Sequence, residues 1–199
     1  MYKLYYFCGG LSFMSILWGI VAYLIGAFPS AQLWTKISIG EDITRLGSKN
    51  PGALNTLRNA GTIPGILTLI SDMLKGFLAV LPPLILGLPY EYLFVFGILA
   101  AIGHNWPIFM KFKGGKGFAS TVGSLVAISL SALFILLCVI IIFLFLFNKN
   151  ASKAVAFGVW ILPISTTVLF ESSSILLVSL VWAMVLFIKY FPDIKKFPG

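Results

Sequence analysis

Apolar residues in this chain run in six blocks, at about 11–34, 63–88, 92–110, 118–147, 154–170 and 173–189, with short polar gaps between them. A helix needs roughly 20 residues to cross the hydrocarbon core of a bilayer, and it satisfies its own backbone hydrogen bonds there. The blocks therefore predict an all-α, polytopic membrane protein, with residues 1–199 as a single membrane-embedded domain. The first block is too long for a signal-peptide core and lacks a convincing cleavage site, so it is expected to stay as a span. The fourth block is too long for one upright helix. Small polar residues at its centre, Ala127-Ile128-Ser129-Leu130-Ser131, mark where it is expected to break.

Charge chooses between one helix and two in that block. With a break near Ser129 to Ser131, four basic segments share one side: Lys36 to Arg58, Lys111 to Lys116, Lys149 to Lys153 and Lys189 to Lys196. Twelve of the 14 basic residues then lie together, and Lys3, Glu91 and Glu171 fall opposite. Cytoplasmic loops collect Lys and Arg, so the expectation is seven transmembrane helices, N-terminus out and C-terminus in. Composition agrees, at 59% hydrophobic and 10% charged, against about 25% charged in soluble domains. The net charge of +8 sits between apolar blocks, which points to anionic headgroups or phosphorylated substrates and not to nucleic acid. Cys8 and Cys138 lie far apart in apolar surroundings, without metal-ligand spacing, and read as inert small hydrophobes. Most of Trp18, Trp34, Trp106, Trp160 and Trp182 read as interface anchors or packing residues.

Two segments on the inferred cytoplasmic side hold most of the polar chemistry. The first runs from Gly47 to Arg58, preceded by Asp42 and Arg45. Its glycines let backbone N–H groups approach an anion; Ser48, Asn50 and Asn55 add donors, and Arg45, Lys49 and Arg58 add charge. The same composition suits an ordinary solvated turn. The second is His104-Asn105-Trp106-Pro107 followed by Lys111-Phe112-Lys113-Gly114-Gly115-Lys116-Gly117. Gly115 and Gly117 can offer N–H groups to an anion at the start of a helix. It is not a Walker A loop, because Gly117 follows the lysine where that motif needs Ser or Thr. His104, the only histidine, is either a satisfied helix-end group or a proton-handling site residue. Asp72 and Lys75 share a face of the second span, as a structural ion pair or as a pair that orients the phosphate loops.

Taken in order, Gly26-Ala27-Phe28-Pro29, Asp42-Ile43-Thr44-Arg45, Gly47 to Arg58, Asp72-Met73-Leu74-Lys75-Gly76 and His104 to Gly117 resemble successive blocks of the bacterial acyl-phosphate:glycerol-3-phosphate acyltransferases, the PlsY type. That resemblance implies a seven-span enzyme of the bacterial inner membrane with its active site at the cytoplasmic face. It would move a fatty acyl group from acyl phosphate to the 1-hydroxyl of glycerol 3-phosphate, giving lysophosphatidic acid and phosphate. No cofactor or metal is implied. Functional coupling to the enzyme that makes acyl phosphate is.

The resemblance assigns His104, Lys113 and Ser48 to catalysis. It assigns Arg45, Gly47, Asn50, Gly52, Asn55, Arg58, Gly114, Gly115, Lys116, Gly117 and Asp193 to substrate and phosphate binding. Ala27 stands where the family usually has Ser, Lys49 where Gly is usual, and Leu54 where Thr is usual. At the C-terminus, Tyr190-Phe191-Pro192-Asp193-Ile194 replaces a His-Arg-x-Asn-Ile-like stretch, and a carboxylate there would repel phosphates unless paired, with Lys195 or Lys196 as the nearest partners. A His-x4-Asp acyltransferase is disfavoured, since Phe109 occupies the acidic position. The alternatives to the enzyme are an inactive or altered-substrate relative serving as a membrane scaffold, and a transporter of a phosphorylated small molecule.

Overall fold

The computed structural model describes residues 13–196, with side chains as far as residue 194; Lys3, Cys8 and the side chains of Lys195 and Lys196 lie outside that range. The described residues are helical with short connections and contain no strand. Helix α1 (Phe13–Ala27) and α2 (Ser30–Ile39) are one apolar rod stepped at Phe28-Pro29, where proline removes a helical N–H. A short polar helix, α3 (Ala53–Ala60), precedes α4 (Thr62–Ile85), and α5 (Tyr90–Asn105) follows. The long fourth block breaks at Ser129 into α6 (Phe118–Ile128) and α7 (Leu130–Leu146). Ser129 is extended there, and its side chain caps α7 by accepting the Ala132 N–H, as a serine N-cap does. The chain ends in α8 (Ala151–Gly158), α9 (Ile161–Phe170) and α10 (Ser173–Lys196).

Among the described residues, five helical segments are long and apolar enough to cross a membrane: Phe13–Ile39, Thr62–Ile85, Tyr90–Met110, Ala151–Phe170 and Ser173–Ile194. The other two apolar helices, α6 and α7, are shorter. Large apolar side chains stand exposed along the outer faces, Phe134, Ile142 and Phe145 on α7 among them. Such faces are tolerable when lipid is the solvent.

Glycine lets the inner helices meet backbone to backbone. A Cβ on Gly26 would overlap the Ala100 carbonyl and one on Gly103 the Tyr23 carbonyl, so α1 and α5 cross without a side chain between them. Gly76 meets Ser120 and Gly123 meets Met73 in the same way, joining α4 to α6. Trp182 of α10 is fully buried, edge-on to Phe94 at 6.0 Å, and donates through Nε1 to Thr121 Oγ1 at 2.9 Å. Trp18 and Trp34 likewise donate to α4, at Ala79 O and Ser71 Oγ. These close contacts bring the C-terminal end of α5 against α1, α2 and α4.

Candidate active site

The loop between α2 and α3 is shaped from inside. Asp42 caps a 3₁₀ turn over Ile43–Arg45, accepting from the Thr44 hydroxyl at 2.7 Å and the Thr44 N–H at 2.9 Å. Those two bonds, aided by the Arg45 and Lys36 charges, hold its carboxyl below the usual carboxylate range. Asn55 is buried, and both ends of its amide are occupied. Its Oδ1 accepts from Ser48 N–H at 3.1 Å and Asn59 Nδ2 at 2.9 Å, and its Nδ2 donates to Leu46 O at 3.1 Å. Asn55 therefore braces this loop. Gly47 adopts φ 48, and a Cβ there would lie 2.6 Å from Asn55 Oδ1. Arg45, Ser48, Lys49 and Arg58 are exposed on the rim, Asn50 and Gly52 are half-buried, and Pro51 is buried.

The second loop folds back onto the end of α5. Gly114 N–H donates to Asn105 O at 3.2 Å and Gly115 N–H to His104 O at 3.0 Å, satisfying carbonyls that a helix end leaves open. These glycine amides are thus committed to α5, and only Gly117, at φ 76, sits as the N-cap of a following helix, α6. A Cβ on Gly115 would overlap His104 Nε2 and lie 2.9 Å from the Pro51 carbonyl. The two glycine-rich segments and the imidazole therefore meet at one point. A small recess opens there, lined by Gly26, Ser30, Pro51, Lys75, His104 and Gly115 among others.

Beneath it lies a buried polar cluster. Lys75 Nζ donates to Asp72 Oδ1 at 2.7 Å and to Ser30 Oγ at 2.8 Å, and Ser30 Oγ donates to the same Asp72 oxygen at 2.5 Å. His104 Nδ1 is 3.5 Å from that oxygen. The Asp72 and Lys75 pair is real, and it belongs to the surroundings of His104.

The three lysines of the second loop have separate fates. Lys113 is exposed. Lys116 pairs with Asp193, whose Oδ2 also accepts from Ser152 Oγ at 3.0 Å, and it lies 4.7 Å from the Tyr190 ring centre. Lys111 is exposed in a left-handed turn at φ 51. From α10, Lys189 reaches across to donate to Asn105 O at 2.8 Å and Gly114 O at 3.4 Å, clamping the loop. The side chains of Lys195 and Lys196, the partners expected for Asp193, lie outside the described residues; Lys116 pairs with it, so the carboxylate is not set bare against a phosphate.

A family model described as glycerol-3-phosphate acyltransferase matches residues 16–198. The chain belongs to that family. A glycerol-3-phosphate acyltransferase of Enterococcus faecalis is 35% identical over 175 residues, covering 85% of this chain and 81% of that protein. Glycerol-3-phosphate acyltransferase 2 of Moorella thermoacetica is 50% identical over 115 residues, covering 58% of this chain. That match spans 59% of the Moorella protein, less than two thirds of its length. Among solved structures, PlsY, an integral membrane glycerol 3-phosphate acyltransferase in its glycerol 3-phosphate form, superposes with a TM-score of 0.82. It is 26% identical, and the match covers 92% of this chain and 91% of that one. The family likeness and the apolar helices make this a multi-pass membrane protein.

Of the residues singled out in the sequence, His104, Gly114 and Gly115 line the recess. Arg45, Ser48, Arg58 and Lys113 stand exposed, while Asn55 and Lys116 hold protein partners. Ser30 and Lys189 are not marked as site residues by the sequence reading, whereas Lys75 is, with Asp72, as a structural pair or one that orients the phosphate loops. Lys75 carried a signal, being an ionisable group inside a span. Ser30 follows directly on the Gly26 to Pro29 block, and Lys189 had been counted only as topogenic charge.

Proposed function

We propose that this chain transfers a fatty acyl group from acyl phosphate to the 1-hydroxyl of glycerol 3-phosphate at the cytoplasmic face of a bacterial inner membrane. The products are lysophosphatidic acid and inorganic phosphate. One observation carries the reading: in a member of this family, both glycine-rich segments converge on His104 Nε2. Acyl phosphate is already activated, so no covalent nucleophile is needed. The hydroxyl oxygen bonds to the carbonyl carbon, the bond from that carbon to the phosphate oxygen breaks, and phosphate leaves with the electron pair. The work of the site is to hold two anions and align hydroxyl with carbonyl. His104 Nε2 accepts a hydrogen bond from the attacking hydroxyl and takes its proton as the new C–O bond forms, and the departing phosphate carries that proton away. Lys75 supplies positive charge from within, and Arg45, Ser48, Asn50, Arg58 and Lys113 gather phosphate at the rim. Supply of acyl phosphate couples this enzyme to the one that makes it. In this reading the chain crosses the membrane seven times, α6 running outward and α7 returning inward.

The test is phosphate release by purified protein in detergent, given palmitoyl phosphate and glycerol 3-phosphate, with lysophosphatidate identified as co-product. His104→Ala is expected to lower turnover by about 10²-fold or more. No release from acyl phosphate, or equal turnover in the variant, sinks the reading.

A further inference from the structure

The cluster beneath the recess has more in it than a structural ion pair requires. Lys75 of α4 and Ser30 of α2 both donate to a single oxygen of Asp72, and the Nδ1 ring nitrogen of His104, on α5, lies 3.5 Å from that same oxygen. We infer that Asp72 is a positioning residue, fixing His104 as the tautomer protonated on Nδ1 so that a bare Nε2 faces the recess. This rests on the activity proposed above.

A neutral imidazole carries one N–H, and the stronger acceptor decides which nitrogen keeps it. On the Nδ1 side stands the Asp72 carboxylate, 3.5 Å away and buried to 1% exposure. Lys75 keeps it ionised, because a buried charge persists when paired and hydrogen-bonded. On the Nε2 side stands Gly115, with the neutral Pro51 carbonyl beyond it. A hydrogen bond to an ionised acceptor is roughly twice as strong as one to a neutral carbonyl, so the proton belongs on Nδ1. The 3.5 Å separation is at the far end of hydrogen-bond reach, as such contacts often are before substrate tightens them.

The geometry around the carboxylate resists rotation. Ser30 Oγ and Lys75 Nζ bind the same Asp72 oxygen and each other, so Asp72 cannot swing away from the ring without breaking both. Gly115 adds the complementary constraint, since any side chain there would occupy the position of Nε2. The ring is thus held from one side and left open on the other. From α10, Lys189 binds the carbonyl of Asn105, the next residue.

His104 is the only histidine in the chain, so its ring nitrogens give an unambiguous signal in protein labelled with ¹⁵N at histidine. Nitrogen NMR in detergent micelles, over a pH series carried into the alkaline range, reads the tautomer directly. The wild type is expected to show protonated Nδ1 and bare Nε2; protonated Nε2 overturns the proposal whatever the activity. Asp72→Asn, alone and combined with Lys75→Met to remove the stranded charge, is expected to shift the population toward protonated Nε2. In both proteins kcat should fall on the order of 10²-fold or more, and in Asp72→Asn alone, which keeps the Lys75 charge, KM for glycerol 3-phosphate should stay within about threefold. A tautomer shift with unchanged kcat, or a kcat loss with an unchanged tautomer, also overturns it. A wild type that has the expected tautomer but leaves acyl phosphate untouched defeats the proposed reaction and spares the tautomer assignment.

Discussion

Lys49 occupies φ 60, a left-handed conformation that costs a side-chain-bearing residue about 1–2 kcal/mol and that glycine adopts freely. Glycine is the residue usual at that position in the resembling family, so the departure has a definite physical cost. Lys49→Gly is expected to raise stability by about 1 kcal/mol after the entropy of the freer chain is counted, read as a higher thermal midpoint in detergent; a lower midpoint refutes the argument. Asn55 poses the opposite case. Asn55→Ala strands the Ser48 N–H and two carbonyls in a half-buried loop, at about 1–3 kcal/mol for each buried group left unmade. Its expected mark is a KM for glycerol 3-phosphate raised at least severalfold as the loop loosens, with residual kcat retained; an unchanged KM would show that the brace is dispensable. Asp42 adds a pH dependence. Its folded pKa is depressed by Thr44, so its stabilisation is present above the unfolded carboxylate value of about 4 and is lost as pH falls through the folded one. Amide-exchange protection at Thr44 should drop in acid for the wild type and stay flat for Asp42→Asn.

At the scale of elements, what the sequence made legible was whatever changes polarity or backbone freedom locally. The break in the fourth block was readable because Ser129 and Ser131 interrupt an otherwise apolar run, and the structure places the helix cap at Ser129. The step at Pro29 was equally open to reading. Helix α3 was not foreseen: eight residues of mixed polarity after a Gly-Pro turn look like loop, and it forms against α4, where a Cβ on Gly65 would meet Leu57 at 2.5 Å. The turn between α8 and α9 was also hidden, because the run around Val159-Trp160 stays apolar. Close helix crossings are a further property that single blocks do not reveal. Gly123 packs on the Met73 backbone, one residue from Asp72. Gly123→Val is expected to push α6 off α4, cutting acyl transfer at least about tenfold and lowering the yield of folded protein, since overpacking costs about 1–3 kcal/mol. Full activity with normal yield would mean that the crossing can relax.

Across the whole molecule, the cluster of Ser30, Asp72, Lys75 and His104 joins residues from three helices, α2, α4 and α5, and no local pattern announces it; only the packing of those helices brings it together. The same long-range contacts sort the polar groups to two ends of the bundle. Ser152 and Asp193 touch Lys116, and Lys189 binds Gly114 O, so three of the four basic segments gather beside His104. Pro51, in the fourth, approaches Gly115. At the opposite end of α5, Glu91 accepts from Ser172 at 3.1 Å and Tyr90 packs on Phe170 with ring centres 4.6 Å apart. The 16 residues of α5 separate these ends by about 24 Å at 1.5 Å per residue, close to the thickness of a hydrocarbon core. Positive charge prefers the cytoplasmic side, so the end holding His104 should face inward. In a background with Cys8 and Cys138 replaced by alanine, single cysteines at Ser48, Lys113 and Ser152 are expected to escape a membrane-impermeant thiol reagent applied to whole cells and to react once the membrane is opened. Cysteines at Glu91 and Glu171 should react from outside. Labelling of Ser48→Cys and Lys113→Cys from opposite faces would contradict the meeting of the two loops, and labelling of both from outside would invert the orientation while leaving the site intact.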